Sequence, residues 1–134
     1  MLTTITKRRL TAYDLMRCFF AVLAKNKHAI INKTAIVRVV YDFKESMIYE
    51  GNHDASSLFD GIEFRKGIDD SVVSYDISEG INNLQTFGVV GKLNPTYEKL
   101  FIYLTEQEAD EILSQYPSNI QDVVRKLAES FIGD

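Results

Sequence analysis

The chain has 134 residues, of which 46% are hydrophobic and 25% are charged, and both fractions are ordinary for a globular domain. No apolar run approaches the roughly 20 residues of a membrane-spanning helix, and the first ten residues lack the apolar stretch of a signal peptide. The net charge is −4, whereas a small dedicated DNA-binding domain is more often basic. We therefore expect one domain over residues 1–134, with no membrane contact. The single cysteine, Cys18, excludes an internal disulfide and is typical of a cytoplasmic protein.

Two helices are predicted in the first part of the chain. A capping box that starts at Thr11 opens the first helix, whose apolar stripe continues to about Lys27. The second helix is expected to begin after Asn32, because apolar residues then recur at helical spacing as far as Met47. The segment 35–41 is rich in β-branched residues, so a strand is the alternative there.

The middle of the chain is predicted to be a loop followed by a short extended segment. Residues 49–60 are polar and contain Gly51 and Asn52, a composition typical of a surface loop. Apolar and charged residues then alternate over 62–66 until Gly67 interrupts them, which indicates a short strand.

The stretch 76–104 predicts the fold most clearly. Asp76 and Glu79 have the spacing of a capping box, the helix that follows covers 77–87, and Gly88 stands just past its end. Two apolar strands then surround the turn signal of Asn94 and Pro95. A helix followed by a hairpin and another helix is the order of a winged-helix core.

The last part of the chain is predicted to be helical. A capping box over 105–108 opens a helix that Tyr116 and Pro117 end, and the segment 119–132 has a regular apolar face. The predicted class is α+β, mainly α: a winged-helix-like domain with a two-stranded wing and C-terminal helices.

No group of residues in the sequence predicts catalysis. His28 and His53 have no second ligand at metal spacing, Cys18 lies beside an apolar stripe, and the adjacent Asp69 and Asp70 suit a solvated turn. We therefore expect no enzyme activity, no metal and no cofactor.

Two kinds of partner remain open. A protein partner is favoured by the acidic balance and by the fifteen Phe and Tyr side chains, and the last helix would contribute Val124, Phe131 and Ile132 to a homo-oligomer or a heteromer. The alternative is a transcription regulator whose 77–87 helix reads DNA, although that helix face has no Arg or Lys. In that alternative the contacting residues would be Asn82, Asn83, Gln85, Thr86, Lys92, Lys99, Arg65 and Lys66.

The segment 32–41, NKTAIVRVVY, resembles the second helix of the Panacea (SocA-like) antitoxin domain, with Val39 and Val40 where that group has leucines. The segments 64–67 and 84–90 follow in the order of that group. The same order resembles the middle components of bacterial three-component ABC-type defence systems. The resemblance spans roughly residues 10–113. It implies an antitoxin-like protein or defence-system adaptor that has no catalytic residue and acts by binding a protein encoded nearby.

Overall fold

The structure, a computed structural model, describes residues 10–27, 30–49, 59, 61–69, 71–93 and 99–133. The fold is α+β and mainly helical, as predicted. The described helices are α1 (Ala12–Lys25), α2 (Lys33–Tyr49), α3 (Tyr75–Thr86), α4 (Glu106–Leu113) and α5 (Ser118–Gly133). The described strands are β1 (Ile30–Asn32), β2 (Arg65–Lys66), β3 (Val72–Val73), β4 (Val90–Leu93) and β5 (Lys99–Ile102).

Helix α1 is the centre of the fold, because it packs against α3, α4 and α5. Its predicted capping box is confirmed: the Asp14 amide donates to Thr11 Oγ1, and the Thr11 amide donates to Asp14 Oδ2. The helix ends at Lys25, slightly before the predicted end, and Lys27 then has a left-handed φ of 64°. Almost every residue of α1 between its two ends is buried, so one helix supplies much of the core.

Helix α2 begins directly after Asn32, as predicted, and the strand alternative for 35–41 is wrong. The side chain of Asn32 caps the helix, since its Oδ1 accepts hydrogen bonds from the Thr34 amide and hydroxyl. Strand β1, just before α2, was not predicted. It has three residues, and its pairing partner lies in β5, far along the chain.

The main sheet has the strand order β1-β5-β4, and both pairings are antiparallel. The predicted hairpin is confirmed by the pairing of β4 with β5, in which Val90 lies opposite Ile102. The predicted glycine stop also stands, because Gly88 has a φ of +80° that favours glycine. The hairpin therefore follows α3 directly and carries β1 on the outer edge of β5.

Helix α3 begins at a different cap from the predicted one. The N-cap is Ser74, a buried residue whose Oγ accepts a hydrogen bond from the Ile77 amide at 3.3 Å. Asp76 instead accepts a hydrogen bond from the Glu63 amide at 2.9 Å. The predicted Asp76–Glu79 capping box is wrong because Asp76 lies inside the helix and holds the preceding segment.

The predicted extended segment 62–66 forms only the two-residue strand β2, which pairs with β3 in a hairpin. The turn is tight: the Gly67 amide donates to the Ser71 carbonyl, and Asp69 Oδ1 accepts from the Ser71 amide. The hairpin packs on α2, where the rings of Tyr41 and Phe64 meet edge to face at 5.4 Å. Most of the predicted 49–60 loop lies outside the described residues.

The C-terminal helices close the core. The predicted capping box at Thr105 and Glu108 is confirmed at the start of α4. Helix α5 packs on α1 and α2, and the ring of Phe131 meets the ring of Phe19 edge to face at 5.6 Å. The last helix therefore docks on the body of the protein.

Candidate protein-interaction surface

The thiol of Cys18 lies in the hydrophobic core. Cys18 is 1% exposed, and burial, with a smaller contribution from Asp14, raises the pKa of its thiol from the ordinary 9.0 to about 12. A thiol held neutral in this way is a poor nucleophile. Among the residues that the structure describes, no three His, Cys, Asp or Glu side chains lie together as metal ligands. The two histidines, His28 and His53, lie outside the described residues.

The buried carboxylate of Asp14 forms hydrogen bonds with two parts of the fold. Besides capping α1, it accepts a hydrogen bond of 2.7 Å from the Tyr116 hydroxyl through Oδ1. Burial, and then this hydrogen bond, raise the pKa of Tyr116 above its ordinary range. The Arg17 guanidinium donates to Tyr116 and to Gln115. This network fixes the segment between α4 and α5 against α1.

The exposed face of α3 carries the large aromatic side chains that the core leaves out. Tyr75, at the start of the helix, is 78% exposed, and Phe87, at its end, is 71% exposed. Between them the solvent face presents Glu79, Asn82 and Thr86. Glu79, one turn beyond Tyr75, raises the pKa of the Tyr75 hydroxyl by hydrogen bonding to it. The solvent-facing surface of α3 is thus aromatic and acidic.

A cleft of about 480 Å³ lies between this face and the start of α1. Its lining includes Tyr13, Asp76, Glu79 and Asn83. The ring of Phe87 meets that of Tyr13 edge to face at 6.3 Å. The two carboxylates give the cleft a negative charge, so it suits a polar or basic group of a partner rather than a phosphate.

The α3 residues predicted for DNA reading, Asn82, Asn83, Gln85 and Thr86, are exposed as expected. The hydroxyl of Thr86 donates a hydrogen bond of 3.1 Å to the Asn82 carbonyl within the helix, so this donor is already used.

The basic residues predicted for DNA binding divide between surfaces. Arg65 shares a surface depression with Tyr75 and Asp76 at the start of α3. Lys66, the next residue, faces α2 instead, where its Nζ lies 5.2 Å from the centre of the Tyr41 ring. Lys99 is exposed on β5, and the side chain of Lys92 lies outside the described residues. Arg65 therefore lies beside the start of α3, whereas Lys66 contacts α2.

The residues predicted to contact a protein partner need correction. Val124 has 0% exposure, so it is a core residue that no partner reaches in this fold. Phe131 is half-buried against Phe19, and the side chain of Ile132 lies outside the described residues. The apolar face of α5 is the face with which this helix packs on α1 and α2.

The sequence interpretation did not single out Tyr75 or Phe87. A signal was present, because the buried positions Ile77, Ile81 and Leu84 place Tyr75 on the opposite side of the helix. A large aromatic side chain on the solvent face of a helix is a candidate contact for a partner.

Comparison of the chain with protein-family models, with curated proteins and with solved structures found no match. In the described part of the chain, no helix combines the length and apolar character that crossing a bilayer requires.

Proposed function

We propose that the protein is a non-enzymatic interaction module of winged-helix type that binds another protein through α3. The observation that carries the proposal is the composition of the α3 surface. Two large aromatic side chains, Tyr75 and Phe87, are more than two-thirds exposed at its ends, and the charges between them are the carboxylates of Asp76 and Glu79. Exposed aromatic residues are enriched in protein interfaces, where they supply most of the binding energy.

The order of the elements supports the winged-helix part of the proposal. The β4–β5 hairpin follows α3 directly, and β1, which lies between α1 and α2 in sequence, completes the sheet. One feature differs from a compact helix-turn-helix, in which a turn of three or four residues joins the two helices. Here residues 50–74, including the β2–β3 hairpin, separate α2 from α3.

The resemblance to antitoxins and to defence-system middle components indicates the kind of partner. We propose an antitoxin-like or adaptor role in the bacterial cytoplasm, within a homo-oligomer or a heteromer. The neighbouring genes supply the test. One neighbouring gene product should be toxic, or inactive in defence, when it is expressed alone. Co-expression of this chain should change that outcome, whereas co-expression of its Phe87→Ser variant should not.

Site-specific cross-linking tests the surface directly. A photoreactive amino acid placed at Asn82 should give discrete protein adducts in cells. The same group at Lys126, which is exposed on α5, is the matched control and should not give them. Equal adducts from both faces, or none from α3, would contradict the proposed surface.

A transcription regulator is the second candidate, because three amide side chains, Asn82, Asn83 and Gln85, are exposed together on α3. Asn and Gln donate and accept hydrogen bonds at adenine edges. The carboxylates on the same helix oppose phosphate contact, which is why we rank this candidate second. A gel-shift titration with random-sequence duplex decides between the two candidates. Selective binding of particular duplex sequences at physiological salt would contradict the adaptor role and support the regulator.

A further inference from the structure

A second surface forms a groove between α2 and the β2–β3 hairpin, and it borders the first turn of α3. The groove contains a cavity of about 300 Å³ lined by residues that include Val37 on α2, Val72 and Val73 on β3, and the polar residues Lys33 and Ser78. Val73, at its margin, is 57% exposed. We call this surface the α2 groove. Its floor is apolar and it is large enough for one or two side chains.

Lysine side chains border the α2 groove along the helix. Lys33, Val37, Tyr41 and Lys44 follow one another at intervals of three or four residues, which places them on one side of α2. Lys44 Nζ lies 5.2 Å from the centre of the Phe64 ring, and Lys66 Nζ lies at the same distance from the Tyr41 ring. Three ammonium groups and two aromatic rings thus extend the apolar cavity.

The charge of the groove is opposite to that of the chain. The net charge of the whole protein is −4, yet the described residues that line the cavity include Lys33 and no carboxylate. On the exposed side of α2, Asp42 is bound to Arg38 at 3.3 Å. A positive surface on an acidic protein attracts negatively charged partners selectively.

From this combination we infer that the α2 groove binds an acidic segment of a partner protein that carries at least one apolar side chain. The carboxylates of the segment meet the lysines, and its apolar side chain enters the cavity above Val37. Single-stranded nucleic acid fits less well, because base stacking needs open ring faces, and the lysines cover those of Tyr41 and Phe64. The inference rests on the proposed protein-binding function but uses a different surface.

Fluorescence anisotropy with the full chain provides the test. The probe is a short labelled peptide of alternating glutamate and leucine, and its competitors are the matching glutamine-leucine peptide, oligothymidine and inorganic phosphate. The double variant Lys44→Gln/Lys66→Gln should weaken binding of the acidic peptide by at least about fivefold. Lys126→Gln, on α5, is the matched control and should have no effect, and added salt should weaken binding.

Several outcomes would overturn the inference. They are an equal affinity for the glutamine peptide, an affinity insensitive to the two lysine substitutions, tighter binding of oligothymidine, and no saturable binding of the acidic peptide. Phe87→Ser separates the two surfaces. It should abolish cross-linking through α3 and leave peptide binding unchanged, so loss of peptide binding in that variant would place the site on α3.

Discussion

The hydroxyl of Tyr116 donates a hydrogen bond of 2.7 Å to the buried carboxylate of Asp14, across 102 positions of the chain. The same carboxylate caps α1 through the amide and the hydroxyl of Thr11. One side chain thus connects a local signal, the start of a helix, with a long-range contact. The start of α1 and the connection between α4 and α5 are therefore stabilised together.

Removing this hydroxyl tests the contact. Tyr116→Phe keeps the ring and takes one donor from a buried carboxylate, so we expect a loss of about 1–3 kcal/mol in the free energy of unfolding. Urea unfolding followed by circular dichroism measures it. Tyr103→Phe, which alters an exposed residue, is the control and should change stability by less than about 0.5 kcal/mol. Equal effects of the two substitutions would mean that the hydrogen bond contributes little.

Gly80 lets α3 approach α1 closely. A Cβ atom at this position would lie 3.2 Å from the Tyr13 nitrogen and 3.3 Å from the carbonyl carbon and oxygen of Ala12. Alanine usually stabilises a helix interior by about 1 kcal/mol relative to glycine. Here we expect Gly80→Ala to lower the thermal midpoint instead, because the atoms it meets belong to backbone and overpacking costs about 1–3 kcal/mol. Glu79→Ala, on the exposed face, should not lower it.

Substitution of Leu84 tests how much the buried face of α3 contributes to the stability of the fold. It has no exposed surface, so Leu84→Ala should cost about 2–5 kcal/mol through lost burial and the cavity left behind. The neighbouring Gln85→Ala removes an exposed side chain from the same helix and should be nearly neutral. A thermal midpoint that does not respond to Leu84→Ala would contradict the packing of α3.

The raised pKa of the Cys18 thiol predicts a loss of stability at alkaline pH. Its pKa is about 12 in the folded protein and 9.0 ordinarily, so the unfolded chain releases this proton first as the pH rises. The stabilising contribution is complete below pH 9 and is lost between about pH 9 and 12. Between pH 8 and 10 the loss should be about 1.4 kcal/mol.

Cys18→Ala should reduce this pH dependence. Urea unfolding of both proteins at the two pH values measures it, and the comparison is between changes with pH rather than between absolute stabilities. An identical loss in the variant would assign the alkaline effect to other groups, such as Tyr116, whose pKa is also raised.

The elements that the sequence predicted correctly are those whose cause is local. The capping boxes at Thr11 and Thr105 each lie within four residues, so the spacing alone was informative. The spacing of Asp76 and Glu79 predicted the wrong start for α3, because the N-cap is Ser74 and Asp76 accepts a hydrogen bond from the Glu63 amide of another segment. Local patterns do not contain that contact.

The candidate site was harder to predict for the same reason. Val124 and Phe131 belong to an apolar stripe, and the sequence does not say whether such a stripe meets the chain itself or another molecule. The structure assigns it to α1 and α2. The α2 groove depends on where the β2–β3 hairpin packs, which brings Lys66 beside Tyr41. Neither contact follows from residue spacing.

The packing of α1 against α5 has a consequence for biosynthesis. The ribosome makes Phe19 early, whereas its contact Phe131 in α5 is made much later, and β1 must wait similarly for β5. Until then α1, the most apolar of the described helices, lacks α5 as a packing partner, and such exposed surface promotes aggregation. A nascent chain that pauses before Ser118 should therefore need a chaperone, or an early-binding partner, to remain available for folding.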